Sequence, residues 1–157
     1  MKYFTAVTCA LIASFHLAGA APAPQPEAAV EAAAAGTSVS VSYDPKFDVK
    51  GSSLNTVACS DGANGLVTKG YSTFGSLPSF PRIGGAPTIA GWNSANCGKC
   101  YSLSYKGKSI KVLAIDAAPG GFNIGVEAMN LLTNNQAVQL GRVTATYTPL
   151  AASACGL

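Results

Sequence analysis

Four cysteines, Cys59, Cys97, Cys100 and Cys155, lie beyond the N-terminal segment of this 157-residue chain, and they constrain its fold more than any other feature. A fifth, Cys9, falls inside an export signal. Lys2 supplies the early positive charge, an apolar run extends from Phe4 to Leu17, and Ala18-Gly19-Ala20 forms an A-x-A cleavage site. The run is too short, and too interrupted by Thr8, Ser14 and His16, to make a spanning helix of about twenty residues. Residues 1–20 therefore read as a signal peptide and the product as exported. An even cysteine count in an exported chain reads as two disulfides, with three connectivities open. Pairing Cys59 with Cys97 and Cys100 with Cys155 would close two long loops, each worth about 4 kcal/mol in the chain-entropy account. The alternatives are a redox Cys-x-x-Cys or half of a zinc site. Redox motifs sit at helix starts, whereas Cys100 runs into YSLSYKGKSIKV, which alternates like a strand. A zinc site would lack a second cysteine pair and any histidine.

Residues 21–36 (APAPQPEAAVEAAAAG) differ from all that follows. Val30 is their one larger aliphatic residue, so they bury too little apolar surface to offset the entropy of ordering. They read as a disordered leader or pro-segment, with a helical extension over 27–35 as the alternative. Residues 37–157 are left as a single folded domain, long enough for one core. It carries nine basic and five acidic residues, a formal charge of +4. The cations are scattered singly apart from Lys106, Lys108 and Lys111, a spread that favours solubility over nucleic-acid readout.

Strand-like segments dominate. Ser38 to Tyr43 alternates with period two, and Leu54 to Ala58 and Leu66 to Tyr71 are shorter candidates. Phe74 to Asn96 holds Pro78, Pro81 and Pro87 among glycines and serines, and reads as an ordered loop with one short strand near Thr88 to Ala90. Tyr101 to Ala117 reads as a hairpin turning at Lys106-Gly107-Lys108. Its second arm, with Val112 to Ile115 all apolar, has the character of a central strand buried on both faces. Asn123 to Asn134 is the one helix, with Asn123 as N-cap and an apolar stripe of Val126, Met129 and Leu132. Arg142 to Thr148 is a final strand. The sum is a mainly β domain, closed or nearly closed into a barrel.

The only histidine, His16, lies in the signal segment. Its loss excludes Ser-His-Asp and Cys-His catalysis and histidine-ligated metal sites. A glycoside hydrolase needs only two suitably spaced carboxyl groups. The candidates are Asp44, Asp48, Asp61, Asp116 and Glu127. Asp61 suits an Asp-Gly turn, Glu127 suits a first helical turn, and Asp44 and Asp48 bracket Pro45 in a solvated loop. Asp116 stands apart, at the end of an apolar strand before a glycine-rich loop, where burial demands hydrogen-bonding partners. One good carboxylate without an obvious second favours binding over hydrolysis. Among the aromatics, Trp92 is expected in the core beside a cysteine rather than as a sugar platform. Tyr43, Tyr71 and Phe122 are candidates for stacking on sugar rings or for packing.

Five segments together, VSVSYD (39–44), VACSDG (57–62), FPRIGGAPTIAGWNSANCGKCY (80–101), VLAIDAAPGGFNIG (112–125) and GRV (141–143), resemble the cerato-platanins, small secreted fungal proteins. The resemblance covers essentially all of residues 38–156. It implies a single-domain six-stranded double-ψ β-barrel with one or two short helices, disulfides Cys59–Cys97 and Cys100–Cys155, and no required cofactor. It implies binding to chitin and N-acetylglucosamine oligomers, expansin-like loosening of cellulose without hydrolysis, and elicitor or allergen behaviour. Asp116 falls on the family's acidic residue tied to loosening, and Asn123 on a position in the glycan groove. Ala117 departs from relatives that carry serine or histidine there.

The expected protein is thus a secreted, non-catalytic carbohydrate-binding monomer of the cell wall or extracellular space. Its candidate binding residues are Asp116, Asn123, Phe122, Tyr71 and Asp44, with no catalytic or metal-binding residue. Its expected partners are chitin oligomers, cellulose and host-surface receptors, with no nucleic acid and no membrane span. The rival readings are a surface-active, receptor-recognised effector or allergen with incidental sugar binding, and a weak glycoside hydrolase.

Overall fold

Alternation along the first and last strands sets the barrel wall. In the computed structural model, which describes residues 36–157, β1 (Thr37–Tyr43) pairs antiparallel with β6 (Arg142–Leu150), matching Val41 with Val143 and Ser42 with Arg142. Apolar partners thereby face inward and polar partners outward. The expected signal peptide, and the leader up to residue 35, lie outside the described residues. With β2 (Ile83–Ala86), β3 (Cys100–Tyr105), β4 (Lys108–Ala117) and β5 (Phe122–Ile124), the strands close in the order β1-β5-β2-β4-β3-β6. Four pairings are antiparallel, while β1–β5 and β2–β4 are parallel. This is the six-stranded double-ψ barrel that the resemblance implies.

The β3–β4 hairpin forms as expected. Lys106 and Gly107 both take positive φ (44° and 80°), the twist that suits a two-residue turn between right-twisted strands. Val112, Leu113, Ala114 and Ile115 are all fully buried, as a strand covered on both faces requires. Both disulfides join the expected partners, with Cα–Cα separations of 5.3 Å for Cys59–Cys97 and 5.6 Å for Cys100–Cys155.

Four expectations need correction. Leu54 to Ala58 is not a strand: Leu54–Thr56 forms a 3₁₀ turn, capped by Ser53, whose Oγ accepts from the Asn55 amide. Leu54 and Val57 are the buried pair, and a spacing of three is the 3₁₀ period rather than the strand period of two. Leu66 to Tyr71 is likewise a run of turns, in which the Lys69 and Tyr71 amides both donate to the Leu66 carbonyl. The strand expected near Thr88 lies earlier, at β2, among the glycines. Those glycines admit rather than break the ladder, because a Cβ on Gly84 would press into the backbone of Asn123 and Ile124 in β5.

The helix is also displaced. Helix α1 spans Val126–Thr133, followed by the short α2 at Ala137–Leu140. Asn123 belongs to β5 and caps nothing. Gly125 holds the N-cap position, and the carboxylate of Asp48 supplies the capping bonds from a distant turn, accepting from the amides of Val126 (2.6 Å) and Glu127 (3.1 Å). A carboxylate there also meets the positive end of the helix dipole. Asp48 is therefore a structural clasp, not a solvated loop residue. Met129 and Leu132 bury the expected stripe against the barrel. Among the described residues, no helix is long and apolar enough to cross a membrane.

Candidate functional site

Register across five strands assembles the candidate site. Gly85 of β2 lies opposite Asp116 of β4 on one side and opposite Asn123 of β5 on the other. Asn123 in turn lies opposite Ser42 of β1, which lies opposite Arg142 of β6. Partners in register point to the same face, so Asp116, Gly85, Asn123, Ser42 and Arg142 form one row on the outer wall of the barrel. Two side-chain bonds confirm the shared face. Ser42 Oγ donates to Asn123 Oδ1 at 3.3 Å, and Arg142 Nη1 donates to Ser40 Oγ at 2.7 Å. Gly85 is buried, and the Ala118 side chain packs over it where a larger residue would stand. A Cβ there would come within 2.9 Å of Ala118 Cβ.

Asp116 is the best-anchored member. A bulge between Gly84 and Gly85 brings it, rather than Ile115, into register. Its Oδ1 accepts from the amides of Ala58 (3.0 Å) and Ala117 (2.9 Å), while Oδ2 accepts from Lys46 Nζ at 3.2 Å. The Asp116 side chain is 18% exposed, and the Lys46 side chain 49%. A carboxylate at the end of an apolar strand thus has the partners that burial demands. Asp44 sets up this contact: its Oδ1 accepts from the Lys46 amide at 2.9 Å and caps the turn Pro45–Asp48, which carries Lys46 toward Asp116.

A shallow hollow of about 190 Å³ occupies the other end of the row, lined by Ser42, Asn123 and Arg142 and by the loop Gly120-Gly121. Gly121 is obligatory there: its φ is 131°, and a Cβ would collide with the Ser40 carbonyl. Larger hollows of about 490 and 370 Å³ lie elsewhere, around Lys106 with Thr144 and around Lys111 with Leu131. A shallow hollow lined with hydroxyl, amide and guanidinium groups, with the Asp116 carboxylate further along the same face, suits a chain ligand rich in hydroxyls better than a compact apolar one.

The structure puts Asp116 and Asn123 in one row, with Asp44 bracing Lys46 at its Asp116 end, while Phe122 borders the hollow beside Asn123 but turns its ring into the core. Phe122 is only 1% exposed. Its ring points inward and packs edge-on against Tyr101 (5.2 Å between centroids) and at a tilt against Tyr147 (5.4 Å). Strand alternation sends Phe122 and Asn123 to opposite faces, so the ring has no surface left for a ligand. Tyr71 is half-buried against the core behind the 66–70 turns. Trp92 corrects the sequence reading in the opposite direction, being 64% exposed, with its Nε1 donating to Asp61 Oδ1 at 2.6 Å. Positive φ at Gly91 (153°) and Asn93 (56°) turns this loop outward. The hydrogen bond from Trp92, reinforced by the Asp61 amide and by Ser60, holds the exposed Asp61 carboxyl below its ordinary pKa.

Lys46, Ser42, Gly85 and Arg142 were missed as site residues. The S-V-S-V-S alternation already placed Ser40 and Ser42 on the outer face. Gly85 and Arg142 lie in segments that carried the family resemblance, but only the pairing of distant strands gives them a place in the row.

A cerato-platanin family model matches residues 39–157, nearly the whole described region. The chain belongs to the cerato-platanin family. It is 65% identical over 116 residues to the allergen Asp f 15 of Aspergillus fumigatus, covering 74% of this chain and 76% of that protein. Among solved structures, cerato-platanin 3 of M. perniciosa superposes with a TM-score of 0.74 at 51% identity, covering 77% of this chain and all of that one. The solution structure of the fungal elicitor cerato-platanin gives a TM-score of 0.68 at 39% identity, covering 74% of this chain and 96% of the other. The cerato-platanin barrel, with both disulfides, is thus the scaffold on which the Asp116 row is built.

Proposed function

We propose that this cerato-platanin is exported and binds β-linked polysaccharide, chitin oligomers and cellulose, along the outer row from Asp116 to Arg142, without cleaving it. One observation carries this reading: five strands align a carboxylate, an amide, a hydroxyl and a guanidinium along one outer face of the barrel. Such groups exchange hydrogen bonds with sugar hydroxyl and acetamido groups.

Hydrolysis fits the same geometry poorly. A general acid must present an O–H to the leaving oxygen, yet both Asp116 oxygens already accept hydrogen bonds from protein donors. Three of the other four described carboxylates are occupied elsewhere: Asp44 caps a turn, Asp48 caps α1 and Asp61 holds Trp92. Glu127 lies exposed in the first turn of α1. Binding several sugars at once competes with glucan–glucan hydrogen bonds, which loosens the polymer without breaking a covalent bond. A protein of this kind, displayed outside the fungus, is also available for recognition by a host, in keeping with relatives named as an allergen and an elicitor.

Chemical-shift titration of the purified protein with N-acetylglucosamine oligomers tests the proposal. Amides at Asn123, Ser42 and Asp116 should move together and saturate. Asp116→Ala should weaken binding about tenfold, the loss of one charge-assisted hydrogen bond, and reduce fragmentation of filter paper. New reducing ends that appear in proportion to added protein would instead establish hydrolysis.

A further inference from the structure

Trp92 lies outside the row, and its exposure is unusual for the only tryptophan in the chain. The indole is nevertheless fixed in place. Its N–H is committed to Asp61, so its faces are what it can offer a ligand. The loop beneath is tied as well: the Asn64 amide donates to Asn93 Oδ1, and Asn64 Nδ2 donates to the Asn93 carbonyl, both at 2.9 Å. The Cys59–Cys97 disulfide closes the same two segments from below. An aromatic ring restrained in this way loses little freedom on binding.

The surroundings select the ligand. The other large exposed apolar side chains, Val49, Leu131 and Val138, belong to a turn and to the two helices, so Trp92 is not part of a continuous apolar patch among the described residues. Protein-docking surfaces need such a patch. A lone aromatic face beside a carboxylate suits a pyranose ring, whose C–H face is apolar and whose edge carries hydroxyls. Both side-chain bonds to Asp61, from Trp92 and from Ser60, fall on Oδ1. Asp61 is exposed, so Oδ2 faces solvent and can accept from a sugar hydroxyl.

Position ties this platform to the row. Asp61 follows by three residues the amide of Ala58 that holds Asp116. Three residues reach at most about 11 Å. We propose that Trp92, clamped by Asp61, is a second sugar-stacking subsite, extending the groove past Asp116 so that a β-linked oligosaccharide contacts both. This extension rests on the groove proposed above, while the platform itself is separately testable.

Trp92 reports on itself, because the intrinsic tryptophan emission of the protein comes from it alone. The purified protein is titrated with the N-acetylglucosamine hexamer and dimer, and Trp92 emission and the Asn123 amide shift are followed together. The hexamer should move both signals with one saturation curve. Trp92→Ala should weaken hexamer binding about tenfold, leave dimer binding at Asn123 within twofold, and be only partly rescued by Trp92→Phe, which retains a ring but loses the N–H that Asp61 clamps. A hexamer that shifts Asn123 while Trp92 emission stays constant, with Trp92→Ala binding as the parent does, overturns the platform and spares the groove. Emission that responds while Asn123 is silent overturns the groove and its extension but keeps the platform. Silence in both overturns both.

Discussion

The carboxylate of Asp61 accepts the one indole N–H in the chain, and that bond predicts an acid-dependent signal. In the folded protein the Asp61 pKa lies below its ordinary value of 3.8. A carboxyl whose folded pKa is depressed contributes stability that is complete above the ordinary value and is lost as pH falls through the folded one. Trp92 emission should therefore stay flat down to about pH 4 and change below it, as protonation weakens the clamp. Asp61→Asn should abolish this step while leaving the fold intact. A step that persists in the variant would assign it to another carboxylate. The same residues show what sequence can and cannot reveal at this scale. Asp116 announced itself, because a carboxylate ending an apolar strand has few bland explanations. Trp92 did not: large aromatics near cysteines are usually packed, and its exposure depends on the backbone turns at Gly91 and Asn93.

Elements were legible where periodicity was long and unlike its neighbours. The first and last strands carry alternation over six or more residues, the β3–β4 hairpin carries a turn signal before a continuous apolar run, and each formed close to its expected bounds. Short segments failed for physical reasons. Two buried residues at Leu54 and Val57 fit a 3₁₀ turn as readily as a strand, and the β2 glycines look like breaks until β5 is known to press against them. The start of α1 was misjudged because its cap is not local. Asp48 lies 78 residues from Val126, and nothing in the segment after Asn123 reveals it. This clasp carries a prediction. Asp48→Ala should remove two charge-assisted bonds and a favourable dipole contact, costing about 1–2 kcal/mol. It would appear as a lower urea midpoint with unchanged slope. Asp48→Asn, which keeps an acceptor, should recover part of the loss.

Across the whole molecule the two disulfides do different work despite similar loop lengths of 38 and 55 residues. Cys100–Cys155 joins the start of β3 to the turn after β6, and those strands are already neighbours in the barrel, with Cys100 opposite Leu150. Cys59–Cys97 joins two segments without regular pairing: one holds Ala58 against Asp116, the other carries Trp92. In the chain-entropy account each bridge is worth about 4 kcal/mol, so replacing either pair with serine should lower stability by a comparable amount. Function should distinguish them. Without Cys100–Cys155 the ladder still fixes the wall, and oligosaccharide affinity measured well below the unfolding transition should stay within about twofold. Without Cys59–Cys97 the Ala58 and Trp92 segments keep only hydrogen-bonded ties, from the Cys59 amide to the Ile115 carbonyl, from the Gly98 amide to the Ala114 carbonyl and between Asn64 and Asn93, so the Asp116 end should loosen and affinity should fall severalfold. Equal losses in the two double variants would mean that the bridges act only through global stability, and that the groove needs no local anchor at its Asp116 end.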